Sequence, residues 1–279
     1  TQLAQECPDL DTRIRAIGRP MPEEVAELVR DLGLKRLGFE SESMTVAALH
    51  AMQAATTSIE FAPTNGKVES LRWTKDAAEI VEIREAIAMA ERAFLDLRAD
   101  LRPGVSEKDA ADRLEAALRS QGATGASFPP IVAFGTRAAL PHARPTSESR
   151  LGTSDLVLVD WGATGRPYKS DLTRLLVTGK VTEVFSAIYS VVLDAQTRAI
   201  AAIRPGVEAR AIDAEARSVI EDAGYGPYFN HALGHGIGRD VHEAPVLRRT
   251  TETRLEPGMV LTVEPGIYLP EWGGVRIED

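Results

Sequence analysis

The stretch Arg102-Pro103-Gly104-Val105 occurs a second time, 102 residues later, as Arg204-Pro205-Gly206-Val207. A helical pattern follows each copy, and a glycine suited to ending that helix stands at the same offset, at Gly122 and Gly224. A single four-residue match can arise by chance in a chain rich in arginine and glycine. The repeat therefore bears on the fold only if further matches follow in the same order.

Two more pairs of matching stretches lie downstream. Phe134-Gly135 leads to Pro141-His142-Ala143-Arg144-Pro145, and His235-Gly236 leads to Val241-His242-Glu243-Ala244-Pro245. Likewise Leu156-Val157-Leu158-Val159-Asp160 parallels Val260-Leu261-Thr262-Val263-Glu264, so a carboxylate ends each predicted strand. Four ordered matches at offsets of 100 to 104 predict an internal duplication. Two similar halves would form a pseudo-twofold αβ sandwich, with a site where the paired strands meet.

Composition narrows the class of protein. The chain has 279 residues, of which 44% are hydrophobic and 26% charged, and its formal net charge is −9. This acidity argues against binding to nucleic acid or to an anionic membrane. No apolar run approaches the roughly 20 residues that span a bilayer. Cys7 is the single cysteine, which excludes an intrachain disulfide and a cysteine-rich zinc site, and we expect a cytoplasmic protein.

Two domains are expected. Residues 1–72 are predicted to form part of a small α/β domain, with helices over 22–31 and 45–55 and a strand over 34–39. Residues 73–279 would form the second domain, which begins with a long helix capped by Asp76 and Glu79. Because the chain starts at Thr1 and stops at Asp279, we expect both of its ends to be cut, so that the C-terminal end of the second domain is missing.

A predicted hairpin brings two carboxylates together. The strand over 155–163 and its return over 167–179 flank Gly165-Arg166. If these two residues form the loop, paired residue numbers sum to 331, as those of Asp160 and Asp171 do. The two side chains would then lie on one face, with Cβ atoms about 5 Å apart. The alternative is that one of them faces solvent, or that Pro167 forces a bulge and breaks the register.

The histidines form a cluster. His231, His235 and His242 fall within twelve residues, and Gly234, Gly236 and Gly238 argue against a helix there. Glycines at every second position instead let the backbone pass close to another group. A Gly-flanked cluster beside acidic strand ends indicates a functional site. His50, which lies in the small N-terminal unit, is interpreted as an ordinary core or surface residue.

The second half repeats the pattern of paired carboxylates. Glu264 ends a predicted strand before Pro265-Gly266, and Glu278 follows fourteen residues later. Four carboxylates and one imidazole make an oxygen-rich set that two divalent cations would neutralise. Hard oxygen ligands favour Mn²⁺, with Co²⁺, Fe²⁺ or Zn²⁺ as alternatives. Such a centre activates a bridging hydroxide and polarises a carbonyl, so amide hydrolysis is the natural chemistry.

These motifs resemble the pita-bread metallopeptidases, which include aminopeptidase P, prolidase (Xaa-Pro dipeptidase) and methionine aminopeptidase. The resemblance covers nearly the whole chain and implies an α+β pita-bread (creatinase/aminopeptidase) fold with duplicated halves, preceded by part of a small α/β domain. It implies that Asp160 chelates one metal ion, that Asp171 and Glu278 bridge both, and that His235 and Glu264 hold the other. Glu264 would also act as general base. The remaining implied residues are His142, His231 and His242, which would bind substrate and stabilise intermediates, and Arg276, which would orient the carboxylates.

The resemblance also separates the branches of the family. The motif around His142 and the extra N-terminal unit resemble the proline-specific branch, which acts on short proline-containing peptides, and the spacing of the ligands resembles prolidase more than aminopeptidase P. Both activities stay open, because a pocket that excludes a third residue depends on loops and on the partner subunit of an expected homodimer. Other hypotheses are a non-peptidase enzyme of this fold, such as creatinase, and a non-catalytic binding scaffold.

Overall fold

The computed structural model describes residues 2–153 and 155–279. The chain divides into two compact units, one ending at Val68 and the other comprising Glu69–Asp279. Thr1, on which the expectation of a cut N-terminus rests, lies outside the described residues. The elements up to the division are α1 (Gln2–Glu6), α2 (Met21–Asp31), β1 (Arg36–Glu40), α3 (Val46–Ala55), β2 (Glu60–Thr64) and α4 (Lys67–Arg72), within which the division falls. The helices and the strand predicted before residue 56 are confirmed to within two residues at each end.

The second unit contains two similar sets of elements. The first set is α5 (Ala77–Asp100), α6 (Glu107–Ser120), β3 (Gly125–Ala126), β4 (Ile131–Phe134), β5 (Leu156–Trp161), β6 (Ala163–Thr164) and β7 (Leu172–Val177). The second set is α7 (Glu183–Ala202), α8 (Ala209–Asp222), β8 (Gly234–Gly236), β9 (Glu243–Leu247), β10 (Gly266–Leu269) and β11 (Gly273–Arg276). Every helix in the described part of the chain is too short or too polar to span a bilayer.

The helix ends follow from local sequence. Asp76 accepts a hydrogen bond from the backbone N–H of Glu79, whose carboxylate accepts one in return, so the predicted capping box starts α5. The predicted stop signals are confirmed as well. Gly122 and Gly224 lie two residues beyond α6 and α8 with φ of 99° and 83°, a left-handed conformation that favours glycine.

Each half has its own apolar core. In the first half, α5 and α6 pack together against the sheet of order β4-β5-β7. Trp161 on β5 is fully buried there and donates a hydrogen bond from Nε1 to the carbonyl of Ala90, 2.8 Å away. In the second half, α7 and α8 pack around Ile188, Ile212 and Ile220, beneath the hairpins β8–β9 and β10–β11.

The duplication predicted from the repeated stretches is visible in matching hydrogen bonds. In the first half Gly104 N–H donates to Leu151 O (2.7 Å), and in the second half Gly206 N–H donates to Leu255 O (2.8 Å). The arginine before each leucine also has the same role. Arg150 donates to Gly104 O and Arg254 donates to Gly206 O. The two copies of Arg-Pro-Gly-Val therefore occupy equivalent positions in two similarly folded halves.

The register predicted for the first-half hairpin is wrong. β5 and β7 pair with residue numbers that sum to 333, so Asp160 lies opposite Thr173 rather than Asp171. The loop is Arg166-Pro167, because Gly165 N–H donates to Tyr168 O (2.8 Å), and Pro167, which has no N–H, stands inside the turn rather than in a strand. The error is two residues, and a shift of two leaves each side chain on its original face. Asp171 therefore still points to the side of the sheet where Asp160 lies.

The predicted strand over 260–264 is also not formed as a regular element. Within the described residues this segment has one isolated bridge, at Leu261, and the ladder starts only at Gly266 after Pro265. Val263 and Asp279 nevertheless exchange backbone hydrogen bonds of 2.9 and 3.5 Å. The neighbouring pair, Glu264 and Glu278, consequently flanks the open end of the β10–β11 hairpin.

Candidate metal centre

One cavity of about 350 Å³ collects every functional residue predicted from the sequence. Its lining includes Asp160, Asp171, Glu264, Glu278, His142, His231, His235, His242 and Arg276. The carboxylates come from the strand ends and hairpins described above, and His235 comes from the middle of β8. His50 is exposed on α3 and belongs to the first unit. Residues up to 136 positions apart thus meet in one pocket of the second unit.

Glycines make room for the strand that carries His235. A Cβ atom on Gly234 would lie 2.0 Å from the carbonyl oxygen of Thr262, and one on Gly236 would lie 2.4 Å from that of Ala244. Any side chain at these two positions would push β8 away from its neighbours. The alternating glycines therefore serve close packing of backbone on backbone, as the sequence predicts.

The imidazole of His235 has one tautomer that satisfies its contacts. Nδ1 lies 3.0 Å from the carbonyl oxygen of Gly236, which can only accept, so Nδ1 carries the proton. The lone pair of Nε2 then faces the pocket, 3.7 Å from Asp171 Oδ2 and 3.6 Å from Glu264 Oε1. Burial lowers the pKa of His235 to about 4, which keeps the ring neutral at pH 7. A neutral imidazole held through its other nitrogen is the usual form of a metal-ligating histidine.

Unpartnered oxygens mark the pocket floor. In the part of the chain that the structure describes, five buried side-chain polar atoms lack a hydrogen-bond partner, and three are carboxylate oxygens of the pocket: Asp160 Oδ1, Asp171 Oδ1 and Glu278 Oε1. Potential ligand atoms of Asp171, His235 and Glu278 all lie within 4.8 Å of one another. Buried carboxylate oxygens are costly without a partner. This set of donors therefore fits divalent cations bound by oxygen and imidazole.

Without a cation the same carboxylates resist ionisation. Burial, and then the charges of Glu278 and Asp160, hold the pKa of Asp171 well above its usual range. Burial, followed by the charge of Asp160, raises the pKa of Glu278 to about 8. Burial and then Glu278 likewise raise the pKa of Glu264. A bound divalent ion would reverse these shifts, because it stabilises the ionised carboxylates.

Arg276 connects the carboxylates to two residues that the sequence did not single out. Its Nη2 donates to Asp160 Oδ2 (2.5 Å) and its Nε donates to Thr173 Oγ1 (3.0 Å). The Thr173 hydroxyl in turn donates to Glu278 Oε2 (2.7 Å). Nη1 of Arg276 donates to the hydroxyl of Tyr268 (2.7 Å). Period-two alternation gives a signal for Thr173, which is two after Asp171, whereas Tyr268 lies beyond Pro265, where the predicted strand ends.

Both ring nitrogens of His231 form hydrogen bonds within the protein. Tyr268 accepts from Arg276, so its own proton is free to go to His231 Nε2, 3.0 Å away. Nδ1 of His231 then donates to the carbonyl of Ala232 (2.7 Å). Burial lowers the pKa of His231 to about 4 and raises that of Tyr268 to about 12, so the histidine stays neutral and the tyrosine stays protonated. Both ring nitrogens of His231 are therefore already used.

The other two predicted histidines lie at the exposed rim of the pocket. His142 and His242 are both exposed, and the His242 ring packs edge-on against that of His235 at 4.4 Å. Apolar residues complete the wall of the cavity: Phe128, Ile131, Val241 and Val246. The site therefore combines an acidic floor, an apolar wall and two solvent-facing imidazoles.

Known proteins resemble the chain over nearly its whole length. The family described as Metallopeptidase family M24 matches residues 81–279, and the Creatinase/Prolidase N-terminal domain matches residues 1–74. An Xaa-Pro dipeptidase of Pyrococcus horikoshii is 40% identical over 247 residues, which cover 88% of this chain and 70% of that protein.

Two solved structures extend the comparison. The Xaa-Pro dipeptidase from Bacillus anthracis superposes with a TM-score of 0.95 at 42% identity, covering 100% of this chain and 78% of that one. The X-Pro aminopeptidase from Thermotoga maritima superposes with a TM-score of 0.93 at 35% identity, covering 100% and 79%. Both proline-directed activities are thus represented among the similar structures.

Proposed function

The chain belongs to metallopeptidase family M24, and from this premise we propose that it is a metal-dependent Xaa-Pro dipeptidase, which hydrolyses the imide bond before a C-terminal proline. The observation that carries the proposal is the set of buried, unpartnered carboxylate oxygens beside the free nitrogen of His235. Membership of the family implies divalent metal ions. The proposed ligands are Asp160, Asp171, His235, Glu264 and Glu278.

We further propose two ions, with Mn²⁺ as the native metal and Co²⁺, Fe²⁺ or Zn²⁺ as substitutes, because four of the five proposed ligands are hard carboxylates. When bound, the ions would polarise the scissile carbonyl and make water a stronger nucleophile at neutral pH. Arg276 and Thr173 hold Asp160 and Glu278 in place, so that their other oxygens face the pocket.

Glu264 has the role of general base in this proposal. With 19% of its side chain exposed, it is the most accessible of the four carboxylates, and it stands beside His235. Its carboxylate would accept a proton from the attacking water and return it to the proline nitrogen, which leaves only after protonation. His142 and His242 at the rim would contact the substrate, whereas His231 would act by holding Tyr268 against Arg276.

Hydrolysis of Ala-Pro beside Ala-Pro-Ala tests the proposal. The chain is stripped of metal with a chelator, reloaded with Mn²⁺, and assayed on both peptides. Cleavage of the dipeptide alone is the expected result. Cleavage of the tripeptide would establish the second candidate, an Xaa-Pro aminopeptidase. The similarity to the Thermotoga maritima structure supports this alternative. Cleavage of neither peptide with two metal ions bound would contradict the substrate class.

Metal content separates an enzyme from a scaffold of the same fold. The reloaded chain should retain two Mn²⁺ ions per chain after desalting, as measured by inductively coupled plasma mass spectrometry. A scaffold would purify without stoichiometric metal. The filled ligand set argues against this third candidate, because a chain without bound cations would keep three buried carboxylate oxygens unpartnered among the described residues.

We also propose that the protein is a cytoplasmic homodimer. One cysteine in 279 residues is typical of a chain that does not depend on disulfides, which suits a reducing compartment. Light scattering at micromolar concentration would give twice the chain mass for a dimer. Cell fractionation followed by immunodetection would test the compartment.

A further inference from the structure

The loop between β8 and β9, residues 237–242, brings two residues to the cavity. Val241 lines the apolar wall and His242 stands at the exposed rim. A catalytic or substrate-binding imidazole on a loop must be held in one place, since a misplacement of about 1 Å can cost about 100-fold in rate. The structure holds this loop through a charged group that does not line the cavity.

The carboxylate of Glu243 binds the backbone of this loop. Its Oε1 accepts hydrogen bonds from two backbone N–H groups of the loop, those of Arg239 (3.0 Å) and Asp240 (3.1 Å). Arg72 donates to the same oxygen and to Asp240 Oδ2. One side chain, at the residue directly after His242, thus satisfies the backbone of the turn that leads to the histidine.

Lys75 binds the second carboxylate oxygen of Glu243. Its Nζ lies 2.9 Å from Glu243 Oε2, and only 2% of the lysine side chain and 6% of the glutamate side chain are exposed. The backbone N–H of Lys75 donates to Gly258 O (2.8 Å), and Thr74 forms a bridge with Met259. The ammonium group is therefore presented by an anchored segment. Burial alone would raise the pKa of Glu243. The hydrogen bonds from Lys75, from the backbone of Asp240 and from Arg72 have the opposite effect and together lower the pKa below its ordinary value.

A glycine shows how closely the loop is built around this pair. A Cβ atom on Gly238 would lie 2.7 Å from Glu243 Oε2 and 2.9 Å from Lys75 Cε. The loop backbone therefore passes directly over the ion pair, and a side chain at this position would displace one or both of the charged groups. Arg72 stays paired with Glu243 Oε1 when Lys75 is removed, but Oε2 then loses the partner that the described contacts give it. A buried carboxylate oxygen without a partner is costly, so the loop would have to move to hydrate it.

We propose that Lys75 and Glu243 are positioning residues that act through the 237–242 loop to hold His242 at the pocket rim. This inference rests on the proposed function, because its first test measures kcat/KM for Ala-Pro. Neither side chain is among the described residues that line the cavity. Their effect on turnover would therefore pass through His242 and not through direct contact with the substrate.

The first test is Lys75→Met in the full chain, reloaded with Mn²⁺. We expect kcat/KM for Ala-Pro to fall about 10- to 100-fold, with two metal ions still bound. Lys108→Met is the matched control. Lys108 is exposed on α6, and its ammonium group pairs with Asp112, one turn later on the same helix. It should leave kcat/KM unchanged. An unchanged kcat/KM in Lys75→Met would overturn the inference.

A double-mutant cycle with His242→Ala separates positioning from a general loss of stability. If Lys75 acts through His242, adding Lys75→Met to His242→Ala should lower kcat/KM by less than about 2-fold more. A further loss as large as that in the unaltered background would mean that the two residues act independently, which contradicts the inference.

Hydrogen exchange gives a readout that needs no activity. Backbone amides in residues 237–243 should exchange faster in Lys75→Met than in the unaltered chain, and Lys108→Met should not differ. If the unaltered chain cleaves no Xaa-Pro peptide, the proposed function fails, whereas unchanged exchange in this loop would refute the positioning role itself. Should Lys75→Met not fold, Gly238→Ala keeps both charges and should show smaller changes of the same kind. Normal exchange and normal turnover in Gly238→Ala would then overturn the inference.

Discussion

At the scale of single residues, charge at the pocket floor decides whether metal can be held. Asp171 contributes one oxygen without a hydrogen-bond partner and another near His235 Nε2. Its neighbours Asp160 and Glu278 each have one oxygen engaged by Arg276 or Thr173. Asp171 is therefore the carboxylate of this group that depends most on a cation.

Replacing Asp171 with Asn should abolish hydrolysis of Ala-Pro. The amide keeps the size of the side chain but removes the negative charge that a divalent ion requires. The measurements are turnover and metal content after reloading with Mn²⁺. Asp112→Asn, an exposed change on α6, should leave both unchanged. Near-normal turnover in the Asp171 variant would rule out its role as a ligand.

Thr173→Val should weaken metal binding by about 10- to 100-fold, the range seen when the hydrogen-bond partner of a ligand is lost. Valine matches the shape of threonine but cannot link Arg276 Nε to Glu278 Oε2. Calorimetric titration of the stripped protein with Mn²⁺ measures the affinity. Thr173→Ser retains the hydroxyl and should bind nearly as tightly as the unaltered chain. Equal affinities for the Val and Ser variants would show that the hydroxyl does not matter.

At the scale of elements, the start of α6 holds the segment that carries His142. Glu107 is fully buried, and its carboxylate accepts hydrogen bonds from Phe134 N–H, Arg137 Nε, Thr146 N–H and Ser149 Oγ. These partners stand at both ends of residues 134–149. One helix terminus therefore closes a long segment whose middle contributes to the pocket rim.

Glu107→Gln should destabilise the protein by about 3 kcal/mol, because an amide NH₂ would replace a buried carboxylate oxygen that accepts hydrogen bonds and Arg137 would lose its anionic partner. Turnover should fall as well, since His142 lies in the affected segment. Urea unfolding and Ala-Pro hydrolysis measure the two effects. Glu115→Gln, at a half-exposed position on the same helix, should change stability by less than about 0.5 kcal/mol. Similar stabilities for both variants would contradict the role of Glu107.

At the scale of the whole molecule, the pocket makes stability depend on metal and on pH. In the metal-free chain, burial and mutual repulsion raise the pKa of Asp171, Glu264 and Glu278, the last to about 8. An acid whose pKa is raised by folding contributes stability at low pH and loses it as pH rises through the folded value. His231 and His235, whose pKa is lowered to about 4, act in the opposite sense, but only below about pH 6.5.

The metal-free protein should therefore lose stability between about pH 6.5 and pH 8, because among the described groups the raised carboxylates are those whose protonation differs there between the folded and unfolded chain. Each proton retained only by the folded chain corresponds to about 1.4 kcal/mol per pH unit. Thermal unfolding in a chelator at pH 6.5 and pH 8 measures this. With Mn²⁺ bound, the decline should disappear or reverse. A metal-free midpoint that rises with pH over this interval would contradict the electrostatic account of the site.

Much of the site was predictable because its signals are local. Period-two alternation places Asp171 on the face of Asp160 and Arg276 on the face of Glu278, and this parity survived a register error of two residues in the β5–β7 hairpin. The register itself depended on which two residues near Pro167 form the turn. That choice involves the packing of the turn in the folded chain, which strand propensities do not contain.

The sequence by itself determined the duplicated α+β architecture and the oxygen-rich residues available at the strand ends. Helix caps and strand periodicity involve only a few neighbouring residues, and the repeat can be recognised by comparing short stretches of sequence. Only the tertiary structure decided which of these groups touch. Lys75 meets Glu243 across 168 positions, and Arg276 meets Asp160 across 116. Such pairs carry no local pattern, since they form only when the packed core brings distant segments within hydrogen-bonding distance.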